Sequence, residues 1–223
     1  MENNPYNNPG AIASYAGDTP RKVPGLADLH RMAMLLLAEA APATANILVV
    51  GAGGGLETRA LAEARPGWRF TGVDPAPAML ALARQTLAPC LERVELIEGT
   101  VGQAPAGPYE GATCLLTLHH LGREERLDTL RGIRRRLRPG ARLVVAGHTA
   151  AGPDPQQWMA RSIAFGERGE PDWERAWAGA ANMLGRLPLL APDEEHTLLG
   201  EAGFADIGLF YAAFSFRGWV ARA

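Results

Sequence analysis

The chain has 223 residues, 47% of them apolar and 21% charged, with a formal net charge of −2. That length can bury the core of one α/β domain, and a charge so near zero excludes a global attraction to polyanions. Two cysteines, Cys90 and Cys114, are too few for a disulfide framework and point to a reducing, cytoplasmic setting, while no run reaches the ~18–20 apolar residues that cross a bilayer.

The opening MENNPYNNPG is polar and lacks the basic-then-apolar pattern of a leader. Residues 1–10 read as a mobile tail within a flexible segment that extends to residue 20. Residues 26–40 are apolar all round and are expected to form a helix over the mouth of the site. From 46 to 147 strand and helix alternate. Strands are expected at 46–50, 68–74, 94–99, 111–118 and 141–147, and helices at 57–65, 76–87 and 123–137. The last of these helices is expected to stop at Arg138-Pro139-Gly140. This order implies a parallel sheet covered on both faces. Residues 152–188, with Trp158, Met159, Trp173, Trp177 and Met183, read as a helical lid insertion whose large side chains either line an acceptor pocket or pack the lid. A helix at 193–202 follows, then two aromatic strands over 205–223 with a turn near 213–215. The expected whole is one α/β domain, 1–223, with a mostly parallel seven-stranded sheet ending in an antiparallel hairpin.

The strongest local signal is ILVVGAGGGLETRAL at 47–61, a strand running through Gly51-Ala52-Gly53-Gly54-Gly55 into a helix. Glycine serves where backbone turns tightly and a ligand comes close. A dinucleotide would set its pyrophosphate on the helix N-terminus and call for G-x-G-x-x-G. The third glycine falls on Leu56 counted from Gly51, and on Thr58 counted from Gly53. S-adenosylmethionine carries no phosphate and suits the looser run. Gly51, Ala52, Gly53 and Gly55 are therefore candidate cofactor contacts. Asp74 ends the second strand, where a carboxylate can accept both ribose hydroxyls of either cofactor. It also suits a helix N-cap, with Pro75 at the first helical position. Pro75 and Met79 complete this part of the expected wall.

Thr100 and Val101, after the third strand, are expected at the adenine edge. Thr117, His119 and His120, after the fourth, fall beside the expected methyl group, and His148 follows the fifth. The three histidines are candidate bases, and each could equally be a packed or capping residue. Tyr15 and Arg21 are candidate contacts from the N-terminal side. His30, His119, His120, His148 and His196 show no metal-ligand spacing, so no metal is expected. The arginines at 131, 134, 135, 136 and 138 fall mainly on the outer face of their helix and suit its C-terminal dipole, so nucleic acid is not an expected partner.

The pieces VVGAGGG, GVDPAPAML, IEGTV, CLLTLHHL and RRLRPGARLVV, spread over 47–147, together resemble the class I S-adenosylmethionine-dependent methyltransferases. The resemblance implies a Rossmann-like fold, S-adenosylmethionine as cofactor and transfer of its methyl group to a small-molecule acceptor. A homodimer is the one protein assembly the reading admits. One departure matters. The family often carries an acid two residues before the first glycine, where this chain has Val49, so the amino group of the cofactor must find another partner. Residues 21–36, 181–204 and the terminal FSFRGWVA look more narrowly like the carboxy-S-adenosylmethionine synthases of tRNA wobble modification. Their carboxylate-binding arginine aligns with Ala181, their strand-four asparagine with Leu115, their tyrosine after V-P-G with Leu26, and their acid after strand three with Thr100. Without the arginine a buried carboxylate would lack a partner, which implies use of the ordinary cofactor. An enzyme that alters the cofactor itself, a nicotinamide oxidoreductase and a non-catalytic binding module remain the alternatives.

Overall fold

The computed structural model describes residues 9–167 and 169–223. The first helix, α1 (Pro9–Lys22), lies where a flexible segment was expected. Residues 1–8 of that expectation fall outside the described residues. Helix α2 (Leu26–Ala38) starts after Gly25 in the left-handed conformation. Then come β1 (Ala45–Val50), α3 (Leu56–Ala64), β2 (Trp68–Asp74), α4 (Pro77–Thr86), β3 (Val94–Glu98), β4 (Tyr109–Leu115) and α5 (Arg123–Arg134). The chain continues as β5 (Leu137–His148), α6 (Pro155–Gly166), α7 (Trp173–Arg186), α8 (Pro192–Glu201), β6 (Ala205–Ala213) and β7 (Phe216–Arg222).

The seven strands form one sheet in the order β3-β2-β1-β4-β5-β7-β6. β1 to β5 run parallel, and β7 inserts antiparallel between β5 and β6. The central parallel strands are buried on both faces: all seven residues of β4 are buried, and β1 ends in the buried apolar run Ile47–Val50. One face packs Ile47 and Val49 with Leu29 and Leu37 of α2 and Leu61 of α3. The other packs Leu48 and Val50 with Leu130 and Ile133 of α5 and Leu198 of α8. Helices α6 and α7 hold a small core of their own around Met159, Ala160, Ala176 and Ala180.

Several boundaries differ from the sequence reading; β4, expected at 111–118, spans Tyr109–Leu115. Helix α5 ends three residues earlier than expected, and β5 already starts at Leu137. Leu137 pairs with Tyr109, the register then shifts, and Arg142 pairs with Gly111. Pro139 and Gly140 occupy that irregularity, where a residue without an N–H costs no ladder bond. Helix α4 starts at Pro77 with Ala76 as its cap, so Pro75 is not its first residue.

Candidate functional site

Strand order reverses between β1 and β4, and the crevice at the carboxyl ends of such strands is where open α/β sheets bind ligands. A cavity of about 1870 Å³ opens there. Its floor is the glycine loop, Asp74 and the ends of β4 and β5, and α1, α6 and α7 form its outer wall. Among the expected residues, Tyr15, Arg21, Gly51, Ala52, Gly53, Asp74, Pro75, Met79, Thr117, His119, His120 and His148 all line it.

Three expected residues do not. Thr100 is tied up locally: its N–H donates to Gln103 at 2.9 Å, and its hydroxyl accepts from Gly102 N–H. Val101 packs in the core beside α5 and α8. Gly55 faces away from the cavity, and a Cβ there would press on Ala83 of α4 and on Leu87, just past its end, at 3.2 Å. Its left-handed backbone caps α3, which is a structural reason for glycine.

The glycine loop is spent on its own fold. Gly51 and Ala52 N–H both donate to Val73 O, and Gly55 N–H donates to Ala52 O. Gly53 N–H donates to Asp74 Oδ2 at 2.8 Å. A loop with so few free amides is poorly equipped for a pyrophosphate. Gly51 has φ of 75°, and a Cβ on it would fall 2.0 Å from Thr117 Oγ1. The ring of Tyr15 lies across Gly54, 2.7 Å from where a Cβ would be.

Asp74 is buried, and each carboxylate oxygen already accepts one amide, Oδ2 from Gly53 and Oδ1 from Ala76 at 2.9 Å. Burial raises its pKa, and the two amides draw it back. A carboxylate has about four acceptor sites, so two stay open. Those open sites match a vicinal diol, and the bare backbone of Gly51 and Gly53 beside them leaves room for a chain attached to the sugar. The residues present therefore fit the adenosine and tail of S-adenosylmethionine.

The three histidines stand together. The His119 and His120 rings are 4.3 Å apart, and those of His119 and His148 are 5.2 Å apart. Burial pushes His148 down to about 3 and His119 well below the ordinary range, with the neighbouring histidines adding to the effect. His120 is lowered too, by burial and by the charge of Arg126. His119 Nδ1 accepts the N–H of His148 at 3.3 Å, so its proton sits on Nε2. His148 Nδ1 meets Ser215 Oγ at 2.8 Å, Ser215 Oγ meets Ser162 Oγ at 2.7 Å, and the His148 ring stacks on Phe216.

Several lining residues escaped the sequence reading. Leu116 closes β4 with φ of 57°, a region a leucine enters only when its surroundings force it, as they do at ligand sites. Glu57, from the first turn of α3, is buried in the wall. The sequence hint for it is slight, since a carboxylate in the first turn of a helix is ordinary. His30 of α2 is lowered to about 4 by burial. On the outer wall Asp18 pairs with Arg21 at 2.7 Å, and Glu167 pairs with Arg175 at 2.6 Å. Of the large lid residues, Met183 lines the cavity, Met159 is core, and Trp173 and Trp177 are exposed. Ala181, aligned above with a carboxylate-binding arginine, is exposed and off the cavity.

A methyltransferase domain family matches residues 48–143. The carboxy-S-adenosyl-L-methionine synthase of Chromohalobacter salexigens is 29% identical over 220 residues, covering 94% of this chain and 80% of the relative. The trans-aconitate 2-methyltransferase of Klebsiella pneumoniae is 32% identical over 165 residues, 71% of this chain and 55% of that one. Among solved structures, PigF with SAH superposes with a TM-score of 0.70 at 20% identity, and human N-acetylserotonin methyltransferase in complex with SAM with 0.59 at 18%. The chain spans 61% and 58% of those two chains' lengths, and the likeness is one of fold.

Proposed function

We propose that the chain is an S-adenosylmethionine-dependent methyltransferase, as the domain match over 48–143 and the relatives support, and that it methylates a small-molecule acceptor held between the three histidines and the α1, α6 and α7 wall. The observation that carries the reading is Asp74, a buried carboxylate with one open acceptor site on each oxygen, at the sheet's switch point beside bare glycine backbone.

When bound, the cofactor supplies a methyl group on a sulfonium, already an activated leaving group. The protein's work is then alignment and exclusion of water, and alignment alone is worth several kcal/mol. Asp74 grips the ribose. Gly51, Ala52 and Gly53 lie along the tail, and Pro75 and Met79 close the side. Thr117, held by its hydrogen bond to Leu115 O at 3.0 Å, fixes the loop that carries the histidines. His119, with Nδ1 taken, can only donate to an acceptor. His120 is the group that can receive its proton, since burial holds His148 in its neutral form. Arg186 lines the outer wall and has no carboxylate partner among the described residues, which favours an acceptor that bears a negative charge.

Calorimetric titration with S-adenosylhomocysteine tests the cofactor assignment. Asp74→Ala is expected to weaken binding by at least ~1.5 kcal/mol, the low end for a hydrogen bond to a charged group. Unchanged affinity refutes the ribose role. A panel of carboxylate and neutral acceptors, scored for S-adenosylhomocysteine release, tests the acceptor class; turnover of neutral acceptors alone overturns it.

A further inference from the structure

Position 49 cannot serve the cofactor's amino group. Val49 is fully buried, and its side chain belongs to the core under α2 and α3. In the parallel register Val49 stands beside Thr113 of β4. The Glu57 carboxyl faces that same Thr113 hydroxyl, which draws its pKa down against the effect of burial. Helix α3 thus brings a carboxylate back to the strand pair where β1 has none. Oε1 of Glu57 and Oγ1 of Thr113 are both buried without a hydrogen-bond partner. A buried carboxylate with no cation beside it and one oxygen left without a hydrogen bond is costly and calls for a cation.

Four carboxylates line the cavity: Asp18, Glu57, Asp74 and Glu167. Asp18 is paired with Arg21 and Lys22, and Glu167 with Arg175. Asp74 holds two amides and faces the sugar. Glu57 has no salt bridge among the described residues. We propose that Glu57 receives the α-ammonium group of the cofactor's amino-acid tail, from the first turn of α3 rather than from the end of β1. The inference rests on the cofactor reading given above. It agrees with the titration of Glu57, which burial pushes up to about 7 in the absence of any neighbouring cation. The Cys114 thiol, raised by burial and by the charge of Glu57, stays neutral throughout.

Two ligands separate the tail from the rest of the cofactor. S-Adenosylhomocysteine carries the ammonium, whereas 5′-methylthioadenosine keeps the adenosine and thioether but has no amino-acid tail. Glu57→Gln is expected to weaken S-adenosylhomocysteine at least about tenfold in calorimetric titration and to change 5′-methylthioadenosine less than twofold. Equal losses for both ligands, or none for either, overturn the assignment. Carbon-13 NMR of labelled glutamate carboxyls in the unaltered chain needs no variant. The Glu57 midpoint, near 7 without ligand, is expected to fall by at least about one unit with S-adenosylhomocysteine and to stay in place with 5′-methylthioadenosine. A midpoint indifferent to the first ligand overturns the proposal. If the unaltered chain binds neither ligand, the cofactor reading has failed. If it binds both and Glu57→Gln does not discriminate, only the role of Glu57 has.

Discussion

His148 is held in surroundings that tolerate only its neutral form. Its ring is stacked on Phe216, tied to Ser215 and flanked by His119. Unfolded, such a ring takes a proton near 6.5; folded, it does so only near 3. The folded-state pKa lies below the unfolded one. The group's contribution to stability is therefore complete above pH 6.5 and drains away as pH falls from 6.5 toward 3, by about 1.4 kcal/mol per unit. His148→Gln is expected to flatten the acid side of the stability curve by that slope. Urea midpoints at pH 7, 6 and 5 measure it; parallel curves for variant and parent would show that the ring titrates normally. The same residue explains a limit of sequence reading. His119, His120 and His148 were found by their place at strand ends, but the roles of the first and third differ through one bond, His148 N–H to His119 Nδ1. No local pattern encodes it. Glu57 was invisible for a similar reason, since its meaning comes from Thr113, on the distant strand β4.

Among the elements, the strands of the parallel sheet and the glycine loop were legible because their signals are local: apolar runs, glycine, and a proline after each helix. Helix α1 was not, because Pro9, Gly10, Gly17 and Pro20 all argue against a helix there. What holds it is partly tertiary, the Tyr15 ring on Gly54, and partly the ion pairs of Asp18 with Arg21 and Lys22 within the helix itself. Gly54 has no positive φ, so Gly54→Ala strains no backbone; its Cβ would press on that ring at 2.7 Å and, less closely, on Leu82 of α4 at 3.0 Å. The variant is expected to destabilise by about 1–3 kcal/mol, the range for overpacking. Tyr15→Ala should remove most of that cost, and a double-mutant cycle in urea reads the coupling; strictly additive effects would mean that α1 does not rest on the loop. A second joint lies at Arg126 of α5, which is fully buried. It donates to Leu121 O, just past the histidines, to Pro188 O at the end of the lid, and to Glu195 of α8. Glu195→Ala would leave that guanidinium buried and unpaired, at an expected cost of about 3–5 kcal/mol. Replacing both partners with Met and Leu should cost less, and denaturant melts of the two variants beside the parent decide the order.

Across the whole molecule the cavity touches α1, the loop after β1, the ends of β2, β4 and β5, and α6 and α7, but neither β3 nor β6. S-Adenosylhomocysteine is therefore expected to slow amide hydrogen exchange over 14–23 and 51–57 and to leave 205–213 unchanged. Uniform protection would instead report a global gain in stability. The seven-stranded count and the terminal hairpin were readable from alternation and turn spacing. The register that puts Thr113 next to Val49 was not, because pairing between distant strands leaves no periodic trace. The position of β7 reaches beyond the site. Residues 216–222 lie between β5 and β6, pairing Val145 with Trp219 on one side and Leu209 with Trp219 on the other. On a ribosome those residues emerge after everything they join. Until they do, β5 shows a bare edge and β6 has nothing to lie against, so a nascent chain halted before residue 216 would display the kind of open strand that recruits chaperones or neighbouring copies.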